Sequence, residues 1–337
     1  MQGGEARRQM QKLTLRNSIS QERIVFTITL VLFAIFGLTL DGFLATNNLF
    51  ALLRSVAVLG ILGLGMLVVV LGRGIDLSLV ANMAISVAWT IQLVSTGTPL
   101  GIALLIGLGF ALGMSLITGI LVAYAEIPAI FATLAMGSVI YGFGRAKLIT
   151  GTDVVYLPAS FGWAASIGQG RLWGVPIPIL IAVVLALVVF LFLKFTKQGW
   201  NSYNIGENIL AARITGIPVR PTIVLQYMLA GVAAYVAGLI TATAVQSMNT
   251  RMVNSNMIYD VILIVVLGGV SLSGGRGTVR NVIVGTLLIG VLVNGMTIMD
   301  IQYTIQNVIK SIILLIAVIA DSVLNPRDEQ TGKQGDI

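Results

Sequence analysis

Cysteine and histidine are both absent from this 337-residue sequence. Without thiols there are no disulfides and no thiolate nucleophile, and without imidazole the commonest general base and metal ligand are missing. Charge is scarce as well: 10% of residues are Asp, Glu, Lys or Arg, against 57% hydrophobic. That balance excludes a water-soluble catalytic domain. The phosphate-binding pattern G-x-x-x-x-G-K-[ST] does not occur, and Gly274-Gly275-Arg276-Gly277 lacks its lysine and helix context. The chain therefore has no route of that kind to ATP hydrolysis. No serine–base–acid set can be assembled without histidine, and no serine–lysine motif is visible. Alternating strands of an outer-membrane barrel are missing too.

What is present is a series of long apolar runs, the signature of a polytopic all-α membrane protein, because helices satisfy every backbone group inside lipid. About ten spans are read, near 24–40, 51–72, 79–94, 100–124, 129–149, 176–193, 222–245, 257–270, 282–299 and 304–320. The sequence divides into a basic segment 1–23, a membrane region 24–322 and a polar tail 323–337. Arg7, Arg8, Lys12, Arg16 and Arg23 assign the amino terminus to the cytoplasm. The net charge is +7, and most cations fall beside alternate span ends, as the positive-inside bias expects. They form no single stripe, which argues against nucleic-acid binding. Arg54, Arg145, Lys147, Arg171, Arg251 and Lys310 are exceptions to the bias.

The longest polar interruption between spans on the cationic side is a basic loop, 194–221. Within it, Asn204 can cap a helix with Glu207 three residues later. Ala211 and Ala212 favour the helix, Arg213 suits its carboxyl end, Gly216 can close it and Pro218 stops it. About ten such residues are not stable alone in water, so Ile205, Ile209, Leu210 and Ile214 need a surface. Lipid headgroups or a groove on a soluble partner would each serve.

Elsewhere, Arg73 and Asp76 lie three apart between two apolar runs and pair if that segment is helical. Flanking glycines equally allow an unwound element beside a solute path. Glu126 before Pro128 reads as a helix-start carboxylate. Asp260, Asp300 and Asp321 sit near span edges, short of the centre where an acid suggests a proton relay. Asn294 could line a polar path or join two helices.

Four motifs together resemble a known family: Gly74-Ile75-Asp76-Leu77-Ser78; Ile127-Pro128 with Ala132-Thr133-Leu134; Gly206-Glu207-Asn208 through Ala211-Ala212-Arg213 to Gly216-Ile217; and Leu267-Gly268-Gly269 with Ser271-Leu272-Ser273-Gly274-Gly275-Arg276-Gly277. The chain resembles the permease subunits of bacterial ATP-binding-cassette importers for ribose, xylose and related sugars. The resemblance implies the ten-helix permease bundle of the vitamin B12 and ribose transporters, in the bacterial inner membrane with both termini cytoplasmic. It implies import of a sugar or sugar-like solute without enzymatic activity in this chain. Implied partners are a cytoplasmic ATP-binding subunit, a periplasmic solute-binding protein, a second permease chain (identical or different) and the lipid bilayer. ATP and magnesium would belong to the ATPase. The ATPase-coupling residues it implies are Glu207, Asn208, Ala211, Ala212, Arg213 and Gly216; the candidate path residues read from the sequence are Asp76, Ser78, Asn82, Phe131, Thr133 and Asn294. Two departures, Leu79-Val80-Ala81 after Ile75–Ser78 and Ala129-Ile130-Phe131 after Pro128, leave the identity of the solute open. An ion-coupled transporter acting alone is the rival reading; a deep essential acid would favour it.

Overall fold

A computed structural model describes residues 21–324, so nearly all of the basic leader and of the polar tail lies outside the described residues. Twelve α-helices are described, several of them bounded by glycine, proline or polar caps. They are α1 Gln21–Thr39, α2 Thr46–Leu71, α3 Leu79–Ser95, α4 Leu100–Ala123, α5 Ala129–Phe143, α6 Ile177–Phe195, α7 Lys197–Glu207, α8 Ile209–Ile214, α9 Val219–Val245, α10 Met257–Gly268, α11 Val279–Ile298 and α12 Tyr303–Leu324. One π-turn, Gly144–Leu148, continues α5. Eight helices are long and apolar enough to cross a membrane; α3 and α10 are shorter apolar helices, which together gives the ten expected spans.

Burial explains why two spans can be short. At about 1.5 Å per residue, a 17-residue α3 reaches about 25 Å and a 12-residue α10 about 18 Å, less than a hydrocarbon core of about 30 Å. Their irregular extensions sit inside protein rather than lipid: Gly72, Gly74, Asp76 and Ser78, between α2 and α3, are all buried. Non-helical backbone at such depth is tolerated only in that setting. In α2, α9 and α11, 61% of the most apolar stretch is buried, against 11% in α1 and α6. The first three form the hub and the last two the rim.

Small residues let the hub close. A Cβ at Gly65 of α2 would stand 2.9 Å from Ala233 Cβ and 3.3 Å from Ala230 Cα on α9. Such contact replaces the hydrophobic drive that lipid does not supply. Buried hydroxyls are satisfied within their own helices: Thr29, Ser86, Thr133 and Thr243 each donate to the carbonyl four residues back. α12 is polar inward and apolar outward. Gln306, Lys310 and Asp321 are buried while Val308, Ile312, Leu315 and Ile319 are exposed.

The 72–78, 124–128 and 269–278 connections collect at one end of the bundle with α7 and α8, the α8 end. At the far end, Val154–Tyr156 (β1) pairs antiparallel with Ser247–Asn249 (β4), and Arg171–Leu172 (β2) with Val175–Pro176 (β3). Trp163 and Trp173 are exposed there, as interfacial tryptophans are. Most of the exceptional cations find local partners at that end. Arg145 and Arg251 share the Asp153 carboxylate at 2.6 Å each, and Lys310 meets Asp260 at 2.8 Å. Asp260 is thus an ion-pair member between α10 and α12. Asp321 accepts from the Leu272 amide at 3.2 Å, tying the end of α12 to the 269–278 loop.

Candidate functional site: a helix-end docking surface

Three loops distant in sequence meet at the end of α7. The last carbonyls of a helix lack intrahelical donors. Here Arg73 supplies them, Nε donating to Gly206 O and Nη2 to Glu207 O, both at 2.8 Å. To reach there Arg73 takes a positive φ of 69°. The expected helical pairing of Arg73 with Asp76 is therefore corrected: residues 72–78 are not helical, and Asp76 accepts from the Ser78 amide at 2.9 Å and the Ser78 hydroxyl at 2.5 Å. From the third loop, Gly275 N donates to Leu71 O at 3.0 Å, and Tyr203 OH reaches Gly277 O at 2.8 Å. Gly206 lies where these backbones cross. A side chain on it would be driven into the Leu71 carbonyl oxygen and the Gly275 amide.

The helix expected from Asn204 begins later and is shorter. Asn204 lies within α7 and Glu207 is its last residue, so neither forms a capping box. The cap is Asn208, whose side-chain oxygen accepts from Ala211 N at 3.0 Å and opens the six-residue α8. Sequence favoured Asn204 because Asx three before Glu is the commoner start signal; tertiary anchoring by Arg73 extended α7 instead. The expected close is present. Gly216 has φ +79°, its amide donates to Arg213 O, and Ile217 N donates to Ala212 O. Six helical residues cannot stand alone. Ala212 is buried and Ile209 packs on the core.

Glu126 adds the remaining anchor. Rather than capping α5, whose N-cap is Pro128, its Oε1 accepts from Arg213 Nη2 at 3.3 Å and Arg220 Nη2 at 3.0 Å. The hydrogen bond from Arg220 and the charge of Arg213 hold this carboxyl below its usual 4.5. The shift is downward, so both pairs persist at neutral pH and are lost only as pH falls through the lowered value. Glu126→Gln is expected to speed backbone hydrogen exchange in Ile209–Ile214 at low salt; exchange at the wild-type rate would show that the pairs do not hold α8.

What α8 leaves uncovered is chemically informative. Leu210 is 52% and Ile214 87% exposed, one turn apart on the same face. Glu207, Asn208, Ala211, Arg213 and Gly216 are exposed around them. A groove of about 470 Å³ runs alongside, lined by Lys194, Phe195, Trp200, Thr215 and Pro218 among others. Leu210 and Ile214, which the sequence marked as needing a surface, are the two that stay uncovered; Trp200 was not among the expected residues.

The expected path residues do not form one lining. Asp76, Ser78, Asn82 and Thr133 are buried, and α5 passes Ser78 at Gly137, where a Cβ would lie 3.5 Å from Ser78 Cα. Asn82 donates to Ala111 O at 3.0 Å and Ser115 Oγ at 2.9 Å. Phe131 is 69% exposed on the outer surface. Asn294 exchanges two hydrogen bonds with Asn48, at 2.8 and 2.9 Å, joining α11 to the first turn of α2. Leu71, beside the Asp76 loop, lies 23 residues further along α2, about 34 Å at helical rise.

Comparison with known proteins identifies the family. The family described as "Branched-chain amino acid transport system / permease component" matches residues 48–318. The ribose import permease protein of Escherichia coli (strain K12) is 33% identical over 307 residues, covering 87% of this chain and 91% of the relative. That of Bacillus subtilis (strain 168) is 34% identical, covering 86% and 89%. The galactofuranose transporter permease protein of Escherichia coli (strain K12) is 34% identical, covering 80% and 78%. No solved structure matches significantly. With a family match spanning all but the first of the ten apolar helices, the chain belongs to the branched-chain amino acid transport system permease-component family.

Proposed function

We propose that this chain is the membrane-spanning subunit of an ATP-driven importer for a sugar or sugar-like solute, a pentose, hexose or polyol. It lies in the bacterial inner membrane. Lys194, Lys197, Arg213, Arg220, Arg276 and Arg280 gather at the α8 end, while Asp153 and Asp260 offset cations at the far end. The positive-inside bias then makes the α8 end cytoplasmic, with both termini on that side, and the far end periplasmic. α8 docks a separate ATPase subunit, which carries ATP and magnesium; a periplasmic binding protein delivers solute to the far end, and a second permease chain completes the pore. Nucleotide-driven movement of the ATPase shifts the bundle between outward and inward access because its contacts with the two states differ.

The observation that carries this reading is the exposed Leu210–Ile214 pair on a short helix fixed at both ends. Exposed apolar side chains that a solvated surface would not retain are the anchor type of a protein interface. The ribose and galactofuranose relatives support the solute class. Leu210→Asp with Ile214→Asp is expected to preserve membrane insertion while removing the ATPase from affinity-purified complexes and reducing uptake by at least about a hundredfold. Co-purification of the ATPase together with wild-type uptake would reject the reading.

A further inference from the structure

Between α10 and α12, away from α8, a cavity of about 160 Å³ is lined by Asn256, Asp260, Asn307, Lys310 and Ser311, with Tyr259, Leu263 and Leu314 completing the wall. Lys310 stands seven residues into α12, about 10 Å from its start. Its ammonium lies 2.8 Å from both Asp260 oxygens. The Lys310 side chain is only 7% exposed and that of Asp260 18%. The pair is electrically closed, so the cavity carries no net charge. One atom remains unmatched: the buried Asn307 Oδ1 has no hydrogen-bond partner among the described residues. An orphaned acceptor in a polar cavity costs free energy unless something donates to it.

We propose that this cavity is a transient binding site for a neutral polyhydroxylated solute on its way through the permease. The inference rests on the sugar-import reading and adds the residues that hold the cargo. Asn307 Oδ1 accepts from a hydroxyl, Asp260 keeps acceptor lone pairs beyond those facing Lys310, and Asn256 and Ser311 can donate or accept. Leu263 and Leu314 face the C–H side of a ring. A cavity of about 160 Å³ is of the order of one sugar ring. A zwitterionic amino acid gains little here, since the charges of Asp260 and Lys310 already offset one another.

The absence of cysteine makes the test direct. Ser311→Cys gives the chain one thiol, and its alkylation by a small methanethiosulfonate reagent is followed in the complete importer, reconstituted with its ATPase and binding protein. Uptake of labelled D-ribose, L-arabinose and D-galactose by the wild-type assembly is measured in parallel. Whichever of these is imported is expected to slow labelling several-fold, L-leucine is expected to leave it unchanged, and Asn307→Leu is expected to lower maximal uptake about tenfold. Equal labelling with and without an imported sugar overturns the site and leaves sugar import standing. No uptake of any of the three sugars by the wild-type assembly rejects the sugar reading and the site with it. Should the Ser311→Cys complex fail to assemble, Asn256→Cys on the opposite wall reports by the same criteria.

Discussion

Gly206→Val is expected to abolish ATP-coupled uptake, and to do so without touching a solute or a nucleotide. Its added atoms fall on the Leu71 carbonyl oxygen and the Gly275 amide, two backbone groups bonded to one another at 3.0 Å. Side chains can rotate away from an intruder, but crossing backbones cannot yield without moving the helices that own them. Overpacking commonly costs about 1–3 kcal/mol, and a site walled by main chain lies at or above the upper end. The displaced segment would also carry Glu207 away from Arg73 and shift the Asn208 cap of α8. Uptake in proteoliposomes and ATPase co-purification should fall together. Wild-type values for both would mean that the junction of the three loops does not position α8. Gly216→Ala provides a useful contrast. Nothing lies within 4 Å of a Cβ at Gly216, so its cost is confined to holding a side chain at φ +79°, about 1–2 kcal/mol.

Lys310→Met is expected to destabilise the far half of the bundle by about 3 kcal/mol, because it leaves the largely buried Asp260 carboxylate without its partner. Asp260→Leu combined with Lys310→Met should recover most of that loss, since a buried pair exchanged for apolar residues of similar volume is commonly neutral. Thermal unfolding of the purified protein in detergent, run as a double-mutant cycle, measures the coupling. Strictly additive losses would mean that the two charges do not depend on one another, contrary to the 2.8 Å geometry. The cycle separates stability from solute handling, because the labelling assay at Ser311 leaves both charges in place.

The correspondence between sequence and structure is uneven for physical reasons. Apolar runs locate the spans to within a few residues, because membrane crossing imposes a length and a composition on each segment independently. The close of α8 was legible for a similarly local reason: Gly216 followed by Pro218 admits few other conformations. Its start was not. Asn204 and Asn208 are both competent caps, and the choice was made by Arg73, about 130 positions away, holding the end of α7. Glu126 was misread as a helix-start charge because its cationic partners, Arg213 and Arg220, lie about ninety residues on.

By itself, then, the sequence determined a polytopic helical bundle, its ten apolar segments, the lack of a G-x-x-x-x-G-K-[ST] pattern, and four motifs worth locating, three of them glycine-bearing. These are properties of local composition, since lipid solvation and backbone satisfaction act on one helix at a time. Only the tertiary structure decided that three of those motifs form a single junction at Gly206, that Leu210 and Ile214 stay uncovered, that Asn294 pairs with Asn48, and that Lys310 meets Asp260 around a polar cavity. Each of these depends on which helices touch. Within lipid that choice is made by close backbone packing and buried polar pairing between distant residues, and neither is written into the hydropathy of any one segment.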